Sequence, residues 1–286
     1  MRVETLQDHL RPLEHETVKF KDMNSHVEIR YCKTKAACHT RKLDANNYMV
    51  LETGEVKQYR HTTSRAENIK NVKQSMARLR DLIRANINSP NCCRWVSLTY
   101  ATVQSDYKKL YEDYRRFNQR FQRYLKRNHN TTAEWIAVAE PQARGAWHMH
   151  VIYIFKDKAP FIPNDDLAKI WNHGFTKIKA LKSGDDVALY LSAYLCDVEL
   201  GEALESGTQI SDIKPQNIKV VGEGQDSKAF IKGGRLGMYP TGMRLYRCSR
   251  GIRKPVVFET SERGSTDAQR HQRHNQFVLR ENHRSL

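Results

Sequence analysis

The spacing of apolar residues changes repeatedly along the chain, and each change marks an element. From Tyr48 to Tyr59, strand-forming residues flank Thr53-Gly54 and predict a hairpin. From Ser64 to Ala85 the period becomes helical: Ile69, Val72, Met76, Leu79, Leu82 and Ile83 recur at threes and fours, and Ser64 with Glu67 has the form of a capping box. Asn86 to Asn91 closes that helix. Trp95 to Tyr100 then reads as a strand. Ser105 caps a helix running to about Asn128, with Leu110, Tyr114, Phe117, Phe121 and Tyr124 on one side and Arg115, Arg116, Arg120, Arg123 and Lys126 on the other. Trp135–Glu140 and His148–Phe155 are strands, Pro163–Asn172 is a short helix, Phe175–Ala180 is a strand, and Asp185 to about Val198 is a helix.

The order β-α-β-β-α-β-α predicts an α+β fold. Its core is a ferredoxin-like split βαβ, an antiparallel central sheet with helices on one face and extensions at both ends. Residues 1–90 form an N-terminal extension and 91–200 the core. A Gly-, Ser- and Asp-containing linker spans 201–226, a basic segment 227–258, and a polar, disordered tail 259–286.

Composition narrows the partners. The 286 residues carry 48 Lys and Arg against 32 Asp and Glu, a net charge of +16. On a chain with no apolar run long enough to cross a bilayer and no basic amphipathic helix with a clean apolar face, that excess points to nucleic acid rather than membrane. The first residues lack a signal-peptide pattern, so a cytoplasmic location is expected. Six cysteines form no CxxC pair, and Cys32, Cys38 and His39 lack a fourth ligand, so free thiols are expected rather than disulfides or zinc.

The chemistry concentrates in Trp147-His148-Met149-His150. Strand alternation points both imidazoles to one face, taken as the open one, and Met149, Val151 and Tyr153 to the helix-covered side. Glu140 ends the preceding strand, and a hairpin through Pro141–Trp147 brings it across from the histidines. Two imidazoles and a carboxylate leave coordination positions for water and a phosphate oxygen; Mg²⁺ or Mn²⁺ suits the mechanism, although the histidines also accept zinc or nickel. Taken alone, two alternate histidines are more often a chance pair. Tyr190 and Tyr194, at i and i+4, share one side of their helix. Paired tyrosines at that spacing are usually packing residues, and a phenol needs help to attack at neutral pH.

Together, Glu140, His148-Met149-His150 and Tyr190-x-x-x-Tyr194 resemble the HUH endonucleases that initiate rolling-circle replication, in the two-tyrosine form found in small phages and plasmids. Trp95–Tyr100 is similar to their first strand motif. The likeness covers about Trp95 to Asp197, and the order, histidines before tyrosines, favours an initiator over a conjugative relaxase. The resemblance implies that Glu140, His148 and His150 bind the metal. Tyr190 would attack the origin phosphate to leave a 5′-phosphotyrosine and a 3′-OH primer, and Tyr194 would perform the second transfer. The chain departs from the family at Ala193 and Leu195, near a lysine that many members carry; Lys177, Lys179 and Lys182 are the candidates to substitute. No GxxxxGK[ST] loop occurs, so a host helicase and DNA polymerase are the expected partners.

The DNA, single-stranded or an origin hairpin, is expected to meet Arg115, Arg120, Arg144, Lys177, Lys179, Lys182, Arg247 and Arg250, with Trp147 stacking on bases ahead of Trp135 and Trp171. For any one arginine a solvated helix face is the commoner outcome. Two other functions share these features: a transposase or mobilisation relaxase with the same chemistry, and a non-catalytic single-stranded nucleic-acid-binding protein.

Overall fold

The computed structural model describes residues 17–23, 27–32, 38–62, 65–181, 195–209, 211, 213–221, 228–240 and 242–260. The chain divides into two compact units, residues 62–254 and residues 1–61 with 255–286. The expected boundaries at 90/91 and 200/201 therefore fall inside the larger unit.

In the smaller unit β1 (Thr17–Asp22) pairs antiparallel with β2 (Val27–Cys32) on one side and with Val256–Thr260, the last strand (β14), on the other. Phe20 and Phe258 stand opposite each other and stack with ring centroids 5.0 Å apart. A second antiparallel sheet joins β3 (Thr40–Lys42), β4 (Asn47–Val50) and β5 (Val56–Gln58). The last two are the predicted hairpin, and Gly54 takes the left-handed φ of +69° that its turn needs. Val256 to Thr260, read from sequence as the end of a DNA-contacting segment and the start of the tail, is thus a sheet strand. Its apolar residues face a partner from the opposite end of the chain.

The larger unit opens with α1 (Ile69–Asn86), capped by Asn68, whose side chain accepts from the Asn71 amide. Ser64, half of the expected capping box, lies outside the described residues. Val72, Met76, Leu79, Leu82 and Ile83 are buried as the period requires, whereas Ile69 at the first turn is exposed. Next come β6 (Cys93–Thr99), α2 (Tyr107–His129), β7 (Ala133–Pro141), β8 (Trp147–Phe155), α3 (Asn164–Trp171) and β9 (Thr176–Ala180). Asp106 rather than Ser105 caps α2, accepting from the Lys108 amide.

These strands and β13 (Tyr246–Cys248) form one five-stranded sheet, order β13-β7-β8-β6-β9, antiparallel throughout. The fold is α+β. Met149, Val151 and Tyr153 are wholly buried on the α2 side, where Tyr153 packs on Phe121 and donates to Asn118 Oδ1.

The opposite face is not open. Tyr246 pairs with Val138, which pairs with His150, so all three share that face. The Tyr246 hydroxyl lies within range of the charges of Arg78 and Asp81 on α1. The apolar side of α1 belongs to the same core as Trp95 and Ile152 of that face. The helix expected in an N-terminal extension is therefore a second layer on the central sheet, and helices cover both faces.

The expected linker contains structure of its own. β10 (Val198–Glu199), α4 (Leu200–Glu205) and β11 (Ile218–Val221) follow, and β12 (Lys228–Ile231) pairs with both β10 and β11. The helix predicted over Asp185–Val198, with Tyr190 and Tyr194, falls largely outside the described residues, as do Lys182 and the tail beyond Thr260. Among the described residues no helix is long and apolar enough to cross a membrane. Cys38, Cys92, Cys93, Cys196 and Cys248 are free thiols.

Candidate active site

The β7–β8 register sets Glu140 directly opposite His148, and the β6–β8 register sets Thr99 opposite His148 and Ser97 opposite His150. All five side chains share one face at the same end of the sheet. Glu140 reaches diagonally, its Oε2 meeting His150 Nε2. Glu140 is 4% and His150 7% exposed, so this is a buried contact.

Ser97 Oγ lies 3.0 Å from His150 Nδ1 and accepts from Trp95 Nε1 at 3.1 Å. A hydroxyl has two lone pairs and one proton, so it can meet Nδ1 in either tautomer. One of these leaves His150 Nε2 bare, as a metal ligand must be.

His148 is half-buried. Its Nδ1 is bonded to the Gln142 side-chain amide at 3.1 Å, while its Nε2 is buried and has no hydrogen-bond partner. Burial pushes the imidazole pKa down to about 4; Glu140 opposes the shift, and the His150 and Arg144 charges add to it. The ring is neutral at physiological pH. Burial pulls Glu140 upward, but the hydrogen bond and charge of His150, with the charges of Arg235 and His148, outweigh it and hold the carboxyl below its ordinary range. A neutral imidazole with an unclaimed ring nitrogen, a second imidazole and an ionised carboxylate are donors a divalent cation takes.

Among the described residues, no three His, Cys, Asp or Glu side chains are gathered as an ion would hold them. One oxygen of Glu140 is spent on His150 and the other on an arginine. Arg235, only 4% exposed, places Nη2 2.9 Å from Glu140 Oε1 and 2.7 Å from Glu202 Oε2. Its Nη1 donates to the Pro141 carbonyl at 2.5 Å and its Nε to the Asp197 carbonyl at 2.8 Å. Glu202 Oε1 also accepts from the Ala143 amide, in the loop joining the two motif strands. Tyr239 is buried beside them, its hydroxyl on the Ala139 carbonyl at 3.1 Å.

The other expected DNA contacts divide. Arg115, Arg144, Lys177, Lys179 and Arg250 are exposed. Lys177 pairs with Ser97 and Lys179 with Trp95, so both stand on the histidine face, along the edge strand. Arg120 is exposed but donates to the Ile170 carbonyl at 3.0 Å, clamping the end of α3. The Arg247 guanidinium lies 3.6 Å over the Tyr111 ring.

Trp147, expected to stack on bases, is a core residue: 5% exposed, its Nε1 donates to the Ser105 carbonyl, and its ring packs with Tyr107 and Tyr239. Trp171 is also buried, and Trp135 is the most accessible of the three. The reversal comes from α2 and the 235–239 turn closing over the end of β8, which its residue pattern does not show.

Sequence reasoning missed Ser97, Glu202 and Arg235. Ser97 was legible in principle, as the polar inward position of an otherwise apolar strand. Arg235 stands in a run of basic residues with nothing to mark it as internal, and Glu202 carries no signal at all.

Residues 93–199 match the model of a family of replication-associated proteins, described as the ORF2 type. No curated protein and no solved structure is detectably similar to the chain.

Proposed function

We propose that the chain is a rolling-circle replication initiator of the two-tyrosine HUH type, which nicks and rejoins origin DNA in the cytoplasm of a bacterial host. The carrying observation is that Glu140, His148 and His150 meet at one end of the sheet, with His148 Nε2 buried and unclaimed. Two further observations support the reading. The family match runs over all three residues and over the span holding Tyr190 and Tyr194. The β6-α2-β7-β8-α3-β9 order, with strands arranged β7-β8-β6-β9, suits a ferredoxin-like split βαβ core.

In this reading Glu140, His148 and His150 would hold Mg²⁺ or Mn²⁺, with the Glu140–His150 contact opening to admit it. The ion, when bound, would withdraw charge from the scissile phosphate. Tyr190, losing its phenolic proton, forms a bond from its oxygen to phosphorus as the bond from phosphorus to the 3′ oxygen breaks. That oxygen takes up a proton and becomes the primer 3′-OH for a host polymerase. The tyrosine ester conserves the phosphodiester linkage, so Tyr194 can accept a strand in a second transfer and rejoining needs no ATP. Host helicase would open the duplex.

The test is a covalent adduct between the full chain and single-stranded oligonucleotides tiling the surrounding replicon, with Mg²⁺ or Mn²⁺ against EDTA. A metal-dependent adduct that Tyr190→Phe/Tyr194→Phe abolishes is expected. No adduct with any strand, or cleavage that persists in the double variant, would overturn the reading.

A further inference from the structure

Resting on that reading, we infer that Arg235 is a positioning residue: it turns Glu140 into a one-oxygen ligand and ties the metal site to the chain just beyond the nucleophiles. All three nitrogens of its guanidinium are engaged, and each engagement lies at this site. Nη2 bridges Glu140 Oε1 and Glu202 Oε2, Nη1 holds the Pro141 carbonyl, and Nε holds the Asp197 carbonyl. The backbone completes the grip, with Arg235 N donating to the Cys196 carbonyl and Gly233 N to Asp197 Oδ1.

With Oε1 held by the arginine, Glu140 presents Oε2 alone to the histidines. Cys196 and Asp197 follow Tyr194 closely in the sequence. One buried cation thus grips both the carboxylate ligand and the outgoing end of the tyrosine segment. Glu202 supplies the second negative charge that a cation beside a metal requires, and through Ala143 it anchors the β7–β8 loop as well. A lysine could supply the charge but not this planar fork.

The experiment uses the full chain with Mn²⁺ alone as probe, titrated by calorimetry and followed by electron paramagnetic resonance, beside the adduct assay. Arg235→Lys is expected to weaken Mn²⁺ binding at least about tenfold and to lower the rate of adduct formation at saturating Mn²⁺, with DNA affinity in EDTA unchanged. Glu202→Gln keeps the size and an acceptor oxygen, removes one anchor of the fork, and is expected to weaken Mn²⁺ in the same direction. Thermal unfolding separates either effect from misfolding, and Glu202→Gln decides the matter if Arg235→Lys fails to fold. Wild-type Mn²⁺ affinity in either folded variant overturns the inference while leaving the proposed function standing. If the unaltered chain binds no Mn²⁺, the metal reading itself falls, and this inference with it.

Discussion

Two buried side chains show how environment sets the chemistry of single residues here. His148 is kept neutral by burial, with Nε2 unclaimed, so its removal breaks no hydrogen bond at that atom. His148→Ala is expected to cut metal-dependent adduct formation by about 10²-fold or more while leaving DNA affinity in EDTA intact; a parallel loss of both would mean misfolding. On the α2 side Asp113 is buried, accepting from Tyr100 at 2.8 Å and Lys109 at 3.1 Å, with His173 Nε2 3.8 Å away. Burial raises its pKa, but these partners win and hold the carboxyl below its ordinary range. A depressed carboxylate contributes stability that is complete above the unfolded-chain pKa of about 3.9 and is lost as pH falls through the lower folded value. Asp113→Asn should therefore flatten the acid side of a urea-midpoint profile against pH, and an unchanged acid slope would refute the assignment. The histidine alternation and Glu140 were legible because strand period and hairpin pairing are local. The Asp113 cluster and the Arg235 fork were not, because each partner comes from a different element.

The apolar stripe of α1 was legible residue by residue, but its role was not. A helix with Val72, Met76, Leu79, Leu82 and Ile83 on one side must bury that side somewhere, and periodicity alone does not say against what. The structure sets it over the histidine face of the central sheet. Leu79→Ala should cost about 2–5 kcal/mol, the usual penalty for a core cavity, whereas Ile69→Ala, at the exposed first turn, should stay within about 0.5 kcal/mol. Urea denaturation of the larger unit reads both, and equal small effects would place α1 outside the core. α3 ends in a turn that sequence marked only as Asn172-His173-Gly174. Asn172 is left-handed at φ +56°, and a Cβ on Gly174, at φ +150°, would stand 2.3 Å from the Ala101 amide nitrogen and 2.5 Å from the Thr99 carbonyl oxygen. The turn thus leads into β9 by close backbone approach to the end of β6.

The net charge of +16 implies binding to a polyanion wherever the charges lie, but not which of them serve. Arg115 and Arg250 are exposed, while Arg235 is internal and Arg247 covers Tyr111. If Arg115 meets a phosphate, Arg115→Gln should lower the salt slope of single-strand affinity by about 0.7. Arg247→Gln should leave that slope alone and cost about 0.5–1 kcal/mol of stability; the opposite pattern in a salt titration and a melt would exchange their roles. What the sequence alone determined is whatever depends on neighbours along the chain. It carried the strand and helix periods, the α+β class, the hairpin that sets Glu140 against His148, and the sign of the partner's charge. Tertiary structure decided what depends on distant segments meeting: α1 as a layer of the core, Trp147 as packing, β14 joining β1, and Arg235 on Glu140. The reason is physical. Hydrogen-bond pattern and side-chain alternation are short-ranged and leave a period in the sequence, whereas burial and charge pairing between remote segments leave none.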